Sequence, residues 1–364
     1  MNPLPQTQPL TLGLFQKRMD GDDSLMELAR CRFRQSGMGI EIYAENPGQL
    51  EWALRFCPSP DSPVTVHLAR HLNLAEPESR RQIQVFANRF AGRVHGLVIH
   101  DHPDMASCPG SYLLAAREMN SILQCINHCP WLFIEYAAGL ELPAFITFFH
   151  SIAELQRISV CMDIGHVGIH IIRKTYARNH PGADICALKS QSGLSPVIMA
   201  EVESSVQSAL PVVLKLIGQL KVGDKPVHCH LHDGHPLSVI SPFGVSDHLS
   251  FLAKIVSGVS HDNNLQTVPM FGRQGLFQIV AQAIQNFGRE RISFTLEIHP
   301  TMERLALGAE AGLFQHWRDK TNAEKMNHWL SVLSENHQAL RESIQAALAA
   351  NPLSNKPRQT MAKG

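Results

Sequence analysis

The stretch VHCHLHD at residues 227–233 decides the fold, because polar and apolar side chains alternate along it. Successive side chains of a β-strand point to opposite faces of the sheet, so the valine, cysteine and leucine share one face. The opposite face carries three histidines, His228, His230 and His232. The stretch ISFTLEI at residues 292–298 alternates in the same way and places Glu297 among its polar side chains. Both stretches predict strands with one apolar face that packs under helices and one ionisable face.

Short runs of this kind alternate with helix-length segments along nearly the whole chain, which is the pattern of a parallel α/β fold. The predicted strands are Leu10–Phe15, Gly39–Ala44, Val64–Leu68, Val94–His102, Trp131–Glu135, Ile158–Asp163, Val227–Asp233 and Ile292–Ile298. The predicted helices are Leu25–Gln35, Glu76–Phe90, Ser111–Ile126, Leu142–Leu155, Val197–Leu220, Gly275–Phe287 and Met326–Ala350.

Eight βα units over roughly 340 residues fit a closed barrel with insertions better than an open sheet. We therefore predict a single-domain (β/α)8 TIM barrel of the α/β class over residues 1–350. It is followed by a polar tail, 351–364, which is expected to be disordered. The longest insertions, 167–195 and 234–270, follow strands six and seven. Both are expected on the C-terminal face of the barrel, where enzymes of this fold build their sites.

The composition narrows the class of protein. The chain has 364 residues, of which 44% are hydrophobic, enough for a large core. It begins with a polar stretch, and no apolar run approaches the roughly 18 residues that span a bilayer. Its 8 cysteines are scattered without a CxxC pair, so we expect a soluble, cytoplasmic protein with reduced thiols and no membrane partner. The formal net charge of +0 gives no indication of a nucleic-acid partner, whereas 20 histidines invite a metal or acid–base interpretation.

Most of the predicted strands deliver a carboxylate or an imidazole to the inward face near their C-terminal ends. These residues are Glu41, His67, His100, His102, Glu135, Asp163, His230, His232 and Glu297. One such residue is often hydrogen-bonded scaffold, but burying so many uncompensated groups would cost several kcal/mol each, against a net stability of about 5–15 kcal/mol. A divalent cation neutralises carboxylates and accepts imidazole lone pairs. The sequence therefore predicts a metal site at the mouth of the barrel.

Several short motifs carry a family resemblance. They are CMDIGH (161–166), HLHD (230–233), FIEY (133–136), TLEIH (295–299) and GIEI (39–42). In their order and strand positions they resemble the motifs of the xylose isomerase-like barrels. That superfamily contains sugar isomerases, ketose 3-epimerases and AP endonucleases of the endonuclease-IV type. The resemblance covers the chain from about residue 10 to about residue 300.

In the isomerase and epimerase branch, the resemblance implies one divalent metal ion held by Glu135, Asp163, His230 and Glu297, with His166 reaching the substrate. Mixed oxygen and nitrogen ligands suit Mn2+, Mg2+ or Co2+, and also Zn2+. Such an ion polarises a carbonyl and its neighbouring hydroxyl, while Glu135 and Glu297 take and return a proton. We therefore expect a metal-dependent isomerase or epimerase that acts on a small carbohydrate-like substrate.

Further residues are expected to bind the substrate: Glu41, His67, His102, His232 and Arg173. Arg173 belongs to a basic group that is expected in the loop after strand six. From there its guanidinium can grip a phosphate or carboxylate of the substrate, although solvated loop charges are commoner.

The endonuclease branch is the alternative, because it carries more metal ligands. Its third-strand histidine resembles His67 and its fourth-strand His-Pro resembles His102 and the proline that follows. With His166, these histidines allow two or three zinc ions and cleavage of a phosphodiester. The Asp-x-His of that branch is matched only by the adjacent Asp247 and His248, and the glycines that should follow closely are delayed. A barrel that binds a metabolite without catalysis is a second alternative, and a homo-oligomer stays open.

Overall fold

The computed structural model describes residues 8–15, 22–137, 139–190, 195–234, 240–241, 244–245, 248–252, 270–298 and 321–350. The strands in these ranges are β1 Leu10–Phe15, β2 Gly39–Tyr43, β3 Val64–His67, β4 Gly96–His100, β5 Trp131–Glu135, β6 Ile158–Asp163, β7 Val227–Leu231, β8 Ile240–Ser241, β9 Gly244–Val245 and β10 Ile292–Leu296. The helices are α1 Asp23–Ser36, α2 Pro47–Leu54, α3 Pro77–Arg89, α4 Asp104–Ser107, α5 Pro109–Gln124, α6 Leu142–Ser151, α7 Ile164–Asn179, α8 Pro196–Gln207, α9 Ala209–Gln219, α10 Gly272–Phe287 and α11 Asn322–Ala350, with a 3-10 helix at Ile185–Ser190.

Eight of the strands close into a parallel barrel in the order β1-β10-β7-β6-β5-β4-β3-β2. Strands β8 and β9 form a separate antiparallel pair, so β10 is the eighth strand of the barrel. Helices surround the sheet, and the fold is the (β/α)8 TIM barrel that the sequence predicts. The predicted bounds of β1, β5 and β6 are confirmed to the residue.

The register of the barrel brings the C-terminal ends of neighbouring strands together. His100 of β4 pairs with Glu135 of β5, and Asp163 of β6 pairs with His230 of β7. His230 in turn pairs with Thr295 of β10. Because all of the barrel strands run in one direction, these positions lie at the same mouth of the barrel.

The apolar core is divided by the sheet into two parts. The larger part lies between the sheet and the helices and contains the outward-facing strand residues. The smaller part lies inside the barrel and consists of Val98, Phe133 and Cys161, with Trp131 packed against them. Each residue of that trio comes two positions before an ionisable residue of the mouth, so the three form an apolar layer under His100, Glu135 and Asp163 on the β4–β6 side of the barrel.

The single helix predicted over 197–220 is two helices, α8 and α9. The break falls before Pro211, which lies in the first turn of α9 and lacks the N–H needed to continue the hydrogen bonding of α8. Among the described residues, 196–219 form the one helical stretch long and apolar enough to cross a membrane, with mean hydropathy 1.3 and 28% of the tested window buried. A core helix passes the same test, and α9 packs against α7 and α10.

The segment 167–195, predicted as an insertion after strand six, is largely helical. Helix α7 starts directly after β6, because the Asp163 side chain caps it by accepting a hydrogen bond from the His166 N–H at 2.8 Å. Buried apolar residues at helical spacing hold α7 against the barrel: Ile169, Ile172 and Tyr176. The other predicted insertion, 234–270, lies mostly outside the described residues, as does the tail 351–364.

Candidate metal centre

Four side chains converge at the C-terminal mouth, and we call them the central set: Glu135, Asp163, His230 and Glu297. Each is 0–1% exposed to solvent. His230 Nδ1 lies 3.1 Å from Glu297 Oε2, 3.5 Å from Glu135 Oε1 and 3.9 Å from Asp163 Oδ2. The structure thus brings together the four residues that the sequence singles out as metal ligands.

The atoms that face one another in the central set lack hydrogen-bond partners among the described residues. They are Glu135 Oε1, Asp163 Oδ2, His230 Nδ1 and Glu297 Oε2. An unpartnered polar atom in a buried position is costly and normally marks a group that binds something else. Three carboxylate oxygens and one imidazole nitrogen form a donor set that suits a divalent cation.

The charges of the central set shift the pKa values of its residues in the direction opposite to the effect of burial. Burial alone raises the pKa of Glu135, but His230 and the neighbouring histidines hold it well below its usual range. Burial would lower the pKa of His230, yet the surrounding carboxylates hold it well above its ordinary value. Without a cation, a proton on His230 therefore compensates part of the negative charge, and a divalent ion would replace it.

A second group, the β3–β4 pair, consists of His67 and His100 beside Glu135. His67 Nε2 lies 2.9 Å from Glu135 Oε2, and His100 Nε2 lies 3.7 Å from the same oxygen. His67 Nδ1 is 3.0 Å from the Leu68 carbonyl, to which it donates. That hydrogen bond leaves the Nε2 lone pair facing Glu135 whenever His67 is neutral, as in many metal-binding histidines.

A third group, the three-histidine set, consists of His166, His232 and His248. The rings of His232 and His248 stack at 4.0 Å, and His166 lies 5.4 Å and 5.3 Å from them. The Nδ1 atom of each ring lies within 3.2 Å of a backbone carbonyl, those of Tyr136, Asp233 and Glu297. As in the β3–β4 pair, donation from Nδ1 makes Nε2 the nitrogen that carries the lone pair in each neutral ring.

Two carboxylates connect the three groups. Glu135 presents Oε1 to the central set and Oε2 to His67. Asp163 presents Oδ2 to the central set, whereas its Oδ1 lies 2.9 Å from His232 Nε2. Although burial opposes it, the Asp163 charge raises the pKa of His232 to about 9, so a proton occupies that contact when no cation does. The mouth is therefore one continuous array of carboxylates and imidazoles.

Glu41 was expected to bind the substrate, and the structure places it beneath the central set. It is fully buried in the barrel interior and contacts His228, His230, Thr65 and Thr295. In the described structure these contacts are all with barrel side chains. Contact of Glu41 with a substrate stays a prediction.

Two other expected residues lie elsewhere than the sequence indicates. His102 was expected to face the cluster, but β4 ends at His100, and the His102 side chain is 40% exposed and pairs with Asp104 at 3.1 Å. His100 is the β4 histidine that the structure brings to the cluster. Arg173 lies on α7 rather than in a loop and pairs with Asp184 at 2.5 Å.

Asp247, a further candidate ligand, lies outside the described residues. Adjacent His248 is described and belongs to the three-histidine set. Sequence reasoning missed Tyr43, whose hydroxyl donates to Glu297 Oε1 and whose ring stacks on His67 with centroids 4.3 Å apart. The sequence does contain a signal for Tyr43, because it lies two positions after Glu41 and so shares the inward face of β2 with it.

The fold and the site together define a (β/α)8 barrel with a buried carboxylate–histidine array at its C-terminal mouth. No protein-family model matches the chain, and no curated protein matches it. Similar solved structures include AsfvAP:AG, with 12% identity over 92% of this chain and 99% of that chain and a TM-score of 0.47. Tryptophan synthase from M. tuberculosis has 12% identity over 93% of each chain and a TM-score of 0.39.

A xylose isomerase-like TIM barrel/4-hydroxyphenylpyruvate dioxygenase fusion protein is similar over 97% of this chain and 46% of its own, with 9% identity and a TM-score of 0.44. The barrel is assigned from its own strand order and register.

Proposed function

We propose that this chain is a divalent-metal enzyme that holds more than one ion at the barrel mouth and hydrolyses a phosphoester. The supporting observation is the double use of two carboxylates. Glu135 faces both His230 and His67, and Asp163 faces both His230 and His232, each with a different oxygen. A carboxylate placed in this way is suited to bridge two cations, and adjacent cations are the usual arrangement for phosphoester hydrolysis.

Each of the three groups would supply the ligands of one ion. The central set would hold one ion, Glu135 with the β3–β4 pair a second, and the three-histidine set a third. Bound divalent ions supply positive charge at the phosphoryl oxygens and lower the pKa of water. The mixture of imidazole and carboxylate donors suits Zn2+ or Mn2+.

The residues of the chain hold and orient this array. Tyr43 binds one oxygen of Glu297 and leaves the other directed at His230. The carbonyls of Leu68 and Asp233 fix the rings of His67 and His232 through their Nδ1 atoms. These hydrogen bonds hold the donor atoms in place before a substrate arrives, which reduces the cost of organising the site.

The proposal is tested by assaying hydrolysis of bis(p-nitrophenyl) phosphate, a chromogenic phosphodiester. We expect turnover that a chelator abolishes and Zn2+ or Mn2+ restores. The His67→Ala variant removes a ligand, so it should lose tight binding of one ion and most of the turnover. The His102→Ala variant is the matched control, because His102 lies outside the array. No hydrolysis by the metal-loaded protein, or an equal loss in both variants, would overturn the proposal.

The second candidate function is the isomerase or epimerase that the family resemblance implies. The observation in its favour is that Glu135 and Glu297 approach the same nitrogen of His230, at 3.5 Å and 3.1 Å. Two carboxylates around one ion are suited to remove and return a proton next to a carbonyl. Incubation with a ketose in D2O separates the candidates. Deuterium at the carbon beside the carbonyl, with one ion per chain, would favour this function over hydrolysis.

A further inference from the structure

Glu41 occupies the barrel interior one layer below the central set and is 0% exposed. Its Oε2 atom accepts hydrogen bonds from Thr65 Oγ1 at 2.6 Å, from His228 Nε2 at 2.8 Å and from Thr295 Oγ1 at 3.0 Å. Because the Glu41 carboxylate can only accept, His228 presents an N–H at Nε2, and its Nδ1 lies 2.7 Å from the Ser293 hydroxyl. Three donors thus fix one oxygen of this carboxylate.

The other oxygen of Glu41 faces a metal ligand. Glu41 Oε1 lies 2.9 Å from His230 Nε2, on the side of the ring opposite to the central set. His230 is therefore oriented in the reverse sense to His67 and His232. Those two rings turn Nε2 toward the array and Nδ1 toward a carbonyl, whereas His230 turns Nδ1 toward the array and Nε2 toward Glu41.

We propose that Glu41 is a positioning residue, which keeps the proton of the neutral His230 ring on Nε2 and so leaves the Nδ1 lone pair for the metal of the central set. The inference rests on the proposed function, because it requires that His230 binds a metal ion. It adds Glu41, which lies below the mouth, to the residues that shape the metal site. A carboxylate that accepts from the far nitrogen of a metal-binding histidine orients the ring and strengthens it as a ligand. Glu41 thereby acts on the metal through His230, without contact with the substrate.

The three hydrogen-bond donors at Glu41 Oε2 determine how an amide would be oriented at this position. In Glu41→Gln the three donors at the Oε2 position select the amide oxygen. The amide nitrogen must then face His230 Nε2 and donate to it. This contact places the ring proton on Nδ1, the atom that should bind the metal.

The experiment measures Co2+ binding to the whole protein by competition with a chromophoric chelator, together with the visible absorption of the bound ion. For Glu41→Gln we expect the Kd of one Co2+ ion to rise by about 10- to 100-fold and its visible bands to change, because a ligand is lost or replaced. Glu51→Gln is the control for the same change from carboxylate to amide. Glu51 lies on α2, away from the barrel mouth, and pairs with Arg93 at 2.8 Å. Its neutralisation should leave Co2+ binding at the central set unchanged.

Each outcome decides between the two proposals. Wild-type protein that binds no Co2+ overturns the proposed function, and the role of Glu41 falls with it. Wild-type protein that binds Co2+, with Glu41→Gln binding equally tightly and with the same spectrum, overturns the role of Glu41 alone. If Glu41→Gln does not fold, Glu41→Asp decides, because the shorter side chain keeps the charge but withdraws from His230. Wild-type affinity in that variant also overturns the inference.

Discussion

At the scale of the residue, Tyr43 gives the two carboxylate oxygens of Glu297 different environments. Its hydroxyl donates to Oε1, while Oε2 has no hydrogen-bond partner in the described part of the chain. Burial and the charge of Glu297 hold the pKa of Tyr43 well above its ordinary value, so the hydroxyl remains a donor at neutral pH. One oxygen of Glu297 is thus satisfied by the protein, and the other is left for a cation.

Replacing Tyr43 with phenylalanine should therefore destabilise the metal-free protein. The Tyr43→Phe change removes the donor from a buried carboxylate oxygen, and leaving such an acceptor unsatisfied costs about 1–3 kcal/mol. Urea denaturation followed by circular dichroism, with EDTA present, measures the free energy of unfolding. A value equal to that of the wild type would mean that the hydroxyl does not support Glu297.

Alternation along the strands predicts which side chains enter the barrel, and the interior contacts of His228, His230 and Thr295 confirm it. Alternation does not predict how deep a side chain lies. Strands in a barrel are staggered, so the same position in two strands lies at two different heights. For this reason Glu41 has the predicted direction but lies beneath the central set. His102 misses the site for a different reason, because β4 ends at His100 and alternation does not continue beyond it.

At the scale of the element, the first turn of α7 lies against the three-histidine set. Asp163 ends β6 and caps α7, and Gly165 follows in the first turn of the helix. A Cβ atom at position 165 would overlap the ring of His232. Glycine is therefore the residue that leaves room for His232 to stack on His248.

The Gly165→Ala variant should fold but displace His232, with loss of one bound metal ion and of most turnover. Ion content is measured by mass spectrometry of the purified protein, and folding by circular dichroism. The matched control is Gly110→Ala in α5, where a Cβ atom meets nothing within 4 Å. Alanine there should be neutral or stabilise by up to about 1 kcal/mol. Full metal content in Gly165→Ala would contradict the assignment of the three-histidine set.

Elements with a strong local pattern are predictable, and those fixed by distant partners are not. The strands β1 and β6 follow from alternation, and β5 follows from its short apolar run between helix-length segments. The sequence predicts an insertion where most of α7 lies, because the start of this helix depends on the Asp163 cap rather than on an obvious break in the sequence. The position of His248 depends on the bridge between Asp233 and Leu249, a pairing between segments that no local pattern reveals.

At the scale of the whole molecule, the array links stability to pH. The pKa of His232 is raised from 6.5 to about 9, because the Asp163 charge outweighs the opposing effect of burial. The folded protein therefore binds this proton more tightly than the unfolded chain does. The resulting stabilisation is fully present below pH 6.5 and is lost as the pH rises through about 9.

The metal-free protein should accordingly lose stability between pH 6.5 and about 9, by up to about 1.4 kcal/mol per pH unit for this group. Urea denaturation in EDTA at a series of pH values measures the loss. His232→Gln should flatten this part of the profile, and a saturating divalent metal should also flatten it by replacing the proton. An identical slope in His232→Gln would show that the proton is held elsewhere.

The central claim is that Glu135, Asp163, His230 and Glu297 bind a divalent cation at the mouth of this barrel. The most direct test is an anomalous difference map from a crystal of the protein grown with Zn2+ or Mn2+, collected at the absorption edge of that metal. We expect a peak within bonding distance of these four side chains, and further peaks beside His67 and His232. A map without a peak among the four side chains, at a saturating concentration of either metal, would show that they do not form a metal site.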